Sequence, residues 1–394
     1  MLRSLKSLYH LVVAVVANIW FGMPSRKLTV IGVTGTDGKT TTTTLIYEIL
    51  KKAGYKASKI TSVNAVVGGR AYDTGFHVTT PTAWQVQKYL AEAIEHRDTH
   101  MVLEVTSHAL AQWRVFGVRF AVGVITNVTH EHLDWHGSFE KYLNTKLRLL
   151  KQAVIPVINR DESDIYSASI PFLQNRRYIT YGIRRNSMVN PSTFPFKSKL
   201  PGEFNRYNVL AALATSQALG IDQKVATEAI STFPGVVGRM EGVIDKPFRV
   251  IVDFAHTPNA IEKALSTVRR TTKKRIIHVF GSAGLRDSSK RPLMGAASSK
   301  YADIIVLTEE DYRTEDVNAI MDAIATGIPK GKSVYRYQNR RDALLFALSM
   351  AKVGDTVIVT GKGHEKSLCR GTTEYPWSDQ GEIKKIFNRK SYSR

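Results

Sequence analysis

Two kinds of segment alternate along the chain. Short apolar runs stop abruptly at glycine, polar or charged residues, and between them lie stretches whose apolar residues return every three or four positions. Runs of the first kind read as buried strands, and stretches of the second as helices packed by one face. Residues 28–33 are the first run; Gly35-Thr36-Asp37-Gly38 ends it, and residues 41–52 then read as a helix. Further strands are expected at 101–105, 122–126 and 154–159, with helices at 141–151 and 205–219, the latter closed by Gly220. Thr82-x-x-Gln85 has the form of a capping box opening a helix to about His96. Gly68-Gly69 marks a hairpin within 66–73, and residues 160–200, rich in Ser, Asn and Pro, read as strand fragments and loops.

The punctuation Phe233-Pro234-Gly235-Val236-Val237-Gly238 reads as a domain boundary. Beyond it a second alternation has strands at 250–253, 276–280, 304–307, 334–337 and 356–360. The expected fold class is therefore α/β, in three parts. An apolar segment spans 1–27, a central domain with a phosphate-binding loop and a mostly parallel sheet spans 28–236, and a Rossmann-like domain spans 237–394.

The stretch VIGVTGTDGKTTTTT at 30–44 carries the first chemistry. A strand, a glycine-rich turn and a helix arrive in the order a phosphate loop requires. Glycines let the backbone turn its N–H groups inward, and the helix N-terminus adds positive potential. Lys39 would reach the β- and γ-phosphates of ATP and the Thr40 hydroxyl would ligate Mg²⁺. The strict pattern wants glycine five residues before Gly38, where Val33 stands.

Composition narrows the class. The chain has 394 residues, 43% of them hydrophobic and 23% charged, which fits a soluble protein of two or three domains. One cysteine, Cys369, excludes an internal disulfide framework and fits a reducing cytoplasm. A net charge of +21 favours polyanionic partners, yet the basic residues are scattered and no stacking-aromatic motif accompanies them, so no nucleic-acid partner is expected. In residues 1–21, Arg3 and Lys6 precede an apolar stretch of 14 residues, short of the roughly 20 needed to span a bilayer. Two readings stand: a helix packed on the domain behind it, or an interfacial helix in peripheral contact with a membrane.

The cluster TNVTHEHLDWHG at 126–137 sets imidazoles and carboxylates just past a strand end, as does Glu104, where ligands collect in such sheets and divalent metal is readily held. At this point the motifs join. GVTGTDGKTT (32–41), TTP (79–81), LEVTSHAL (103–110), TNVTHEHLDWHG, GEFNRYNVLAA (202–212), GRME (238–241), VDFAHTP (252–258), KRPLMG (290–295) and TGKGHE (360–365) run in order, and together they resemble the Mur ligases. These are ATP-dependent amide-forming enzymes of peptidoglycan precursor synthesis. The closest resemblance is to the member that adds the third residue of the stem peptide, ahead of folylpolyglutamate synthase.

The resemblance implies the following. A substrate carboxylate attacks the γ-phosphate of ATP, and an amino acid's amine captures the acyl phosphate. Lys39, Glu104, His132 and Lys146 would be the catalytic set. Thr40, Glu104, His132 and Lys146 would serve two Mg²⁺ ions, with Lys146 carbamylated. ATP would meet Gly35, Thr36, Gly38, Lys39, Thr40 and Thr41 in the loop, Asn205 and Asn208 in the helix after it, and Arg239, Asp253 and His256 in the C-terminal domain. Dividing these groups between two domains would tie catalysis to closure. A muramoyl-dipeptide acceptor would meet Thr79, Thr80, Ser107 and Arg114. The incoming amino acid, resembling diaminopimelate or lysine, would meet Arg286, Glu310, Asp311, Arg313, Gly361 and Glu365. The enzyme would be a cytoplasmic monomer.

Departures matter too. Where members using meso-diaminopimelate carry Asp-Asn-Pro-Arg, this chain has Glu310-Asp311-Tyr312-Arg313. Leu285 replaces an Asp and Asp37 replaces an Asn. Only 27 residues precede the first strand, so the family's uridine-nucleotide domain is expected to be missing and the acceptor to be uridine-linked, lipid-linked or another carboxylate. Two rivals of other classes remain, a nucleic-acid-stimulated NTPase and a non-catalytic nucleotide-binding homologue.

Overall fold

Residues 2–72, 79–129 and 133–391 are described by a computed structural model. They divide into two compact units, Met1–Pro234 and Gly235–Arg394.

The first unit is built on eight strands, β1 (Thr29–Thr34), β2 (Ala57–Ile60), β3 (Ala65–Val67), β4 (Arg70–Tyr72), β5 (His100–Glu104), β6 (Phe120–Ile125), β7 (Ile155–Asn159) and β8 (Ile179–Tyr181). They pair in the order β4-β3-β2-β5-β1-β6-β7-β8. The sheet is parallel from β2 to β8, while β3 and β4 add an antiparallel meander at one edge. Central strands are apolar on both faces because both are covered. Val30, Met101, Leu103 and Phe120 belong to one buried cluster, and Ile125, Tyr142, Leu147 and Ile158 to another.

Helix α1 (Leu2–Trp20) comes before the sheet and α2 (Lys39–Lys52) leaves β1. Five consecutive threonines open α2, although β-branched residues are poor helix formers. Tertiary packing overrides that preference: Thr40–Thr44 are all buried, and α2 packs against the helices Glu203–Ala218 and Gln223–Thr232. Residues 160–200 depart from expectation. They hold a helix, Ser163–Leu173, which buries Ile165, Ser169 and Leu173 at four-residue spacing. Its serines hide the period, and Pro171 inside it removes one backbone hydrogen-bond donor.

In the second unit β9 (Glu241–Ile244), β10 (Arg249–Val252), β11 (Ile276–Phe280), β12 (Ile304–Thr308), β13 (Ser333–Tyr337) and β14 (Thr356–Val359) pair in the order β13-β12-β11-β14-β10-β9. All pairings are parallel except β10 with β9. A hairpin of β15 (Ser367–Arg370) and β16 (Thr373–Pro376) follows.

Two histidines, His278 fully buried and His256 partly buried, make this unit acid-sensitive. His278, on β11, is bonded to Ser298 and Thr360 at 2.8 and 3.0 Å, and burial followed by the Arg340 charge pushes its pKa down to about 3. Burial and then Lys290 push His256 down to about 4. Both are neutral when folded and take up a proton near 6.5 when unfolded, so their contribution is complete above that pH and is lost as the pH falls toward 4 and 3. Urea unfolding between pH 7 and 4 should show stability falling with a slope of up to about 2.7 kcal/mol per pH unit from this pair. His278→Asn should reduce the slope, and an unchanged slope would refute the assignment.

Candidate functional site

The turn after β1 gathers residues from four segments. Gly38, at φ 80°, is the residue before the first turn of α2 and brings no capping side chain, so the first N–H groups of the helix are left for an anion. The turn also admits no side chain there, because a Cβ on Gly38 would lie 2.2 Å from the Asn208 Oδ1. At Gly35 a Cβ would meet the Thr126 hydroxyl at 1.8 Å.

Hydrogen bonds hold this loop in place. The Asp37 N–H donates to Asn127 Oδ1 at 2.9 Å, and the Asp37 carbonyl accepts from Thr126 Oγ1 at 2.6 Å and Asn127 Nδ2 at 3.1 Å. Substituting Asp for Asn at position 37 leaves these intact, since they use only the backbone. Thr36 Oγ1 is bonded to the Tyr142 hydroxyl at 3.1 Å and accepts from the Thr129 N–H at 3.0 Å. Lys39 turns back on the loop, with Nζ donating to the Thr36 carbonyl at 2.7 Å.

Glu104, at the carboxyl end of β5, is buried and accepts from Thr40 Oγ1 and from the Ser62 N–H, both at 3.0 Å. Hard oxygen donors thus meet where the helix begins, a donor set suited to Mg²⁺. Lys146, on the helix Phe139–Gln152, is fully buried; its Nζ donates to the Gly35 carbonyl at 2.6 Å and stands 4.5 Å over the Tyr142 ring. Thr41 is buried in the first turn of α2. Asn205 and Asn208 pair at 3.0 Å on the helix Glu203–Ala218, and Thr42 Oγ1 reaches Asn208 at 3.5 Å. His132 lies outside the described residues. Among those described, no three His, Cys, Asp or Glu side chains gather to hold a metal.

Of the residues expected at the acceptor, Thr80 donates to the Glu104 carbonyl at 2.9 Å and Arg114 Nη1 to the Thr80 carbonyl at 2.7 Å. Partial burial lowers the Arg114 pKa from its usual high value. Thr79 sits half-buried beside Thr80. Ser107 is bonded to His136 Nε2 at 3.0 Å, and the His136 ring packs 4.8 Å from Tyr142. Asn127 and His136 belong to the polar cluster at 126–137, whereas the sequence motifs single out neither Ser62 nor Tyr142. A polar residue just past a strand end marks Ser62 and Asn127, but nothing local marks Tyr142 beyond its helical spacing to Lys146.

In the second unit, Asp253 accepts from the Met240 and Ala255 N–H groups at 2.7 and 2.8 Å. The Arg239 guanidinium lies 4.2 Å over the Phe254 ring, and His256 Nδ1 is 2.9 Å from the Phe254 carbonyl oxygen. Glu310 is buried, Oε2 has no hydrogen-bond partner, and burial raises its pKa; Gly361 lies against it, where a Cβ would come within 2.6 Å of that oxygen. Asp311 accepts from Lys362 Nζ at 2.8 Å and the Cys369 N–H at 2.9 Å, and Lys362 also pairs with Glu365 at 2.6 Å. Arg313 donates to the Gly284 carbonyl at 2.6 Å, while Arg286 is exposed. Lys362, inside the TGKGHE motif yet unassigned from it, is fully buried and joins two of the residues expected to bind the amino acid.

A phosphate loop on one mostly parallel sheet, followed along the chain by a second unit with its own mostly parallel sheet, is the layout of a nucleotide-dependent enzyme, and the comparisons with known proteins make it a ligase. Residues 33–216 match the Mur ligase middle domain and residues 238–363 the Mur ligase, glutamate ligase domain. The UDP-N-acetylmuramoyl-L-alanyl-D-glutamate–2,6-diaminopimelate ligase of Gloeobacter violaceus is 38% identical, over 95% of this chain and 80% of the relative. The UDP-N-acetylmuramyl-tripeptide synthetase of a Roseiflexus species is 36% identical, over 96% of this chain and 82% of the relative. A solved diaminopimelate ligase, 29% identical, superposes with a TM-score of 0.63 over 92% of this chain and 79% of its own. The chain belongs to the Mur ligase family, whose members are ATP-dependent ligases.

Proposed function

We propose that the protein joins a diamino acid to a muramoyl-L-Ala-D-Glu acceptor at the expense of ATP. The single observation that carries this reading is the meeting of Thr40, Glu104 and Lys146 at the Gly35–Gly38 turn, from three segments distant in sequence. The turn would hold the phosphates, with Lys39 leaving the Thr36 carbonyl to neutralise them. Thr40, Glu104, His132 and a carbamylated Lys146 would hold Mg²⁺, which offsets the repulsion between phosphate and carboxylate.

The acceptor carboxylate attacks the γ-phosphorus and ADP leaves. The amine of the amino acid then attacks the acyl carbon, and phosphate departs as the amide forms. Arg114, with Thr79, Thr80 and Ser107, would orient the acceptor. On the amino-acid side, the unpartnered Glu310 Oε2 suits a distal ammonium, and Arg286 with Arg313 a distal carboxylate. Asn205, Asn208, Arg239, Asp253 and His256 complete the nucleotide set. The enzyme works as a cytoplasmic monomer that touches a membrane peripherally through residues 1–21.

Phosphate release should require acceptor and amino acid together, and the product mass should equal their sum less one water. Release driven by nucleic acid, or by ATP alone, would overturn the reading. Gly35→Ala should weaken ATP binding at least about ten-fold, or about 1.4 kcal/mol, in a calorimetric titration, because the added methyl collides with Thr126. Unchanged affinity would remove Gly35 from the site.

A further inference from the structure

Helix α1 has two faces of opposite use. Ala14, Ala17 and Asn18 are buried against the first unit, where α1 packs on the helix Ala83–Glu95. Trp113 Nε1 donates to Ser7 Oγ at 3.1 Å, and the Asn18 carbonyl accepts from the Met23 N–H at 2.8 Å. The helix is therefore seated, and its orientation is set. Its other face carries Leu8, Val12, Val16 and Ile19 in one row, each at least half exposed, flanked by Tyr9 and by Trp20 at 73%. Six large apolar side chains in one stripe form a patch of the kind soluble monomers avoid unless it binds something.

Charge identifies what it binds. Residues 1–36 contain no Asp or Glu. At the C-terminal end of α1, exposed cations collect. Arg26 and Lys27 lie in the short helical turn Pro24–Lys27 that comes after it, the Arg119 N–H donates to Ser25 Oγ at 3.2 Å, and Lys88 lies one turn beyond Trp84. Trp84, itself 39% exposed, is in ring contact with Trp20 at 6.0 Å and Phe21 at 5.2 Å. An apolar stripe with tryptophans at one end and basic residues around them matches the depth profile of a bilayer interface: hydrocarbon, then aromatic belt, then anionic headgroups. A second copy of the chain would set the same cations against themselves. No helix among the described residues is long and apolar enough to cross a membrane, so α1 would lie in the plane of the surface.

We infer that the outer face of α1, with Trp84 and the collar Arg26, Lys27, Lys88 and Arg119, is a docking surface for an anionic lipid bilayer. This rests on the peripheral contact proposed above and assigns its face, orientation and lipid class; it is independent of the ligase chemistry, which lipid-free turnover measures separately.

Flotation with vesicles of phosphatidylcholine alone, and of phosphatidylcholine mixed with phosphatidylglycerol, tests it. The full chain should partition onto the mixed vesicles at least about ten-fold better, and less so as salt is raised. Val12→Asp with Val16→Asp should abolish binding while leaving the melting temperature and lipid-free turnover unchanged, since both side chains already face solvent. Lys27→Glu with Lys88→Glu should remove only the preference for phosphatidylglycerol. Equal flotation of the native chain and the double aspartate variant would overturn the proposal, as would equal binding to both vesicle types. A native dimer in sedimentation that the aspartates convert to monomer would give the face to a second copy and overturn it too.

Discussion

Lys146→Ala should lower turnover about a thousand-fold, close to 4 kcal/mol of transition-state stabilisation. The side chain is buried beside the phosphate loop, and its amine donates to the Gly35 carbonyl while facing the Tyr142 ring. A carbamate formed from that amine and CO₂ keeps one N–H for the Gly35 carbonyl and adds two oxygens able to ligate a cation. The ring favours the ammonium form, so an opposing charge must hold the carbamate. The modification should then appear only with Mg²⁺ and bicarbonate present, as a carbamate resonance after labelling with ¹³C-bicarbonate. Short carboxylic acids such as acetate should restore part of the activity of the alanine variant by supplying the missing oxygens. Full activity in the alanine variant would end the proposal for Lys146, and rescue equal to that of Lys146→Met would end the carbamate assignment.

The second large effect concerns stability. Arg340 is fully buried in the second unit and forms a two-bond ion pair with Asp379, each bond 2.8 Å, while its Nη2 and Nη1 also reach the carbonyls of Thr360 and Glu309. Burial alone would lower its pKa, but the Asp379 charge and hydrogen bonds raise it instead. Arg340→Ala strands a buried carboxylate and two carbonyls, a loss of about 3–5 kcal/mol. The thermal midpoint of this unit should fall by about 10 °C. Replacing both partners, as Arg340→Met with Asp379→Leu, should recover much of the loss, because no charge is then left unpaired. If the single variant melts with the native protein, the pair is not a stabilising element.

Much of this protein was legible in its sequence. Strand and helix periods are local, so the two parallel sheets and the capping box at Thr82 could be read directly. The loop at 35–40 could also be read, because glycine placement and a Lys-Thr pair at a helix start are consequences of backbone geometry. The helix Ser163–Leu173 could not be read from a window dominated by serine, and the threonine run of α2 is helical only because it is buried.

The sequence by itself determined which residue types stand at strand ends and helix starts, and so the class of chemistry available. Tertiary structure alone decided who meets whom: Glu104 with Thr40 across 64 positions, Lys146 with Gly35 across 111, Lys362 with Asp311 across 51. It also decided which side of α1 is buried. Those outcomes depend on the stacking order of strands and on burial. A buried charge is tolerable only where a partner from another segment is already in place, and nothing local to the chain records where that partner will be.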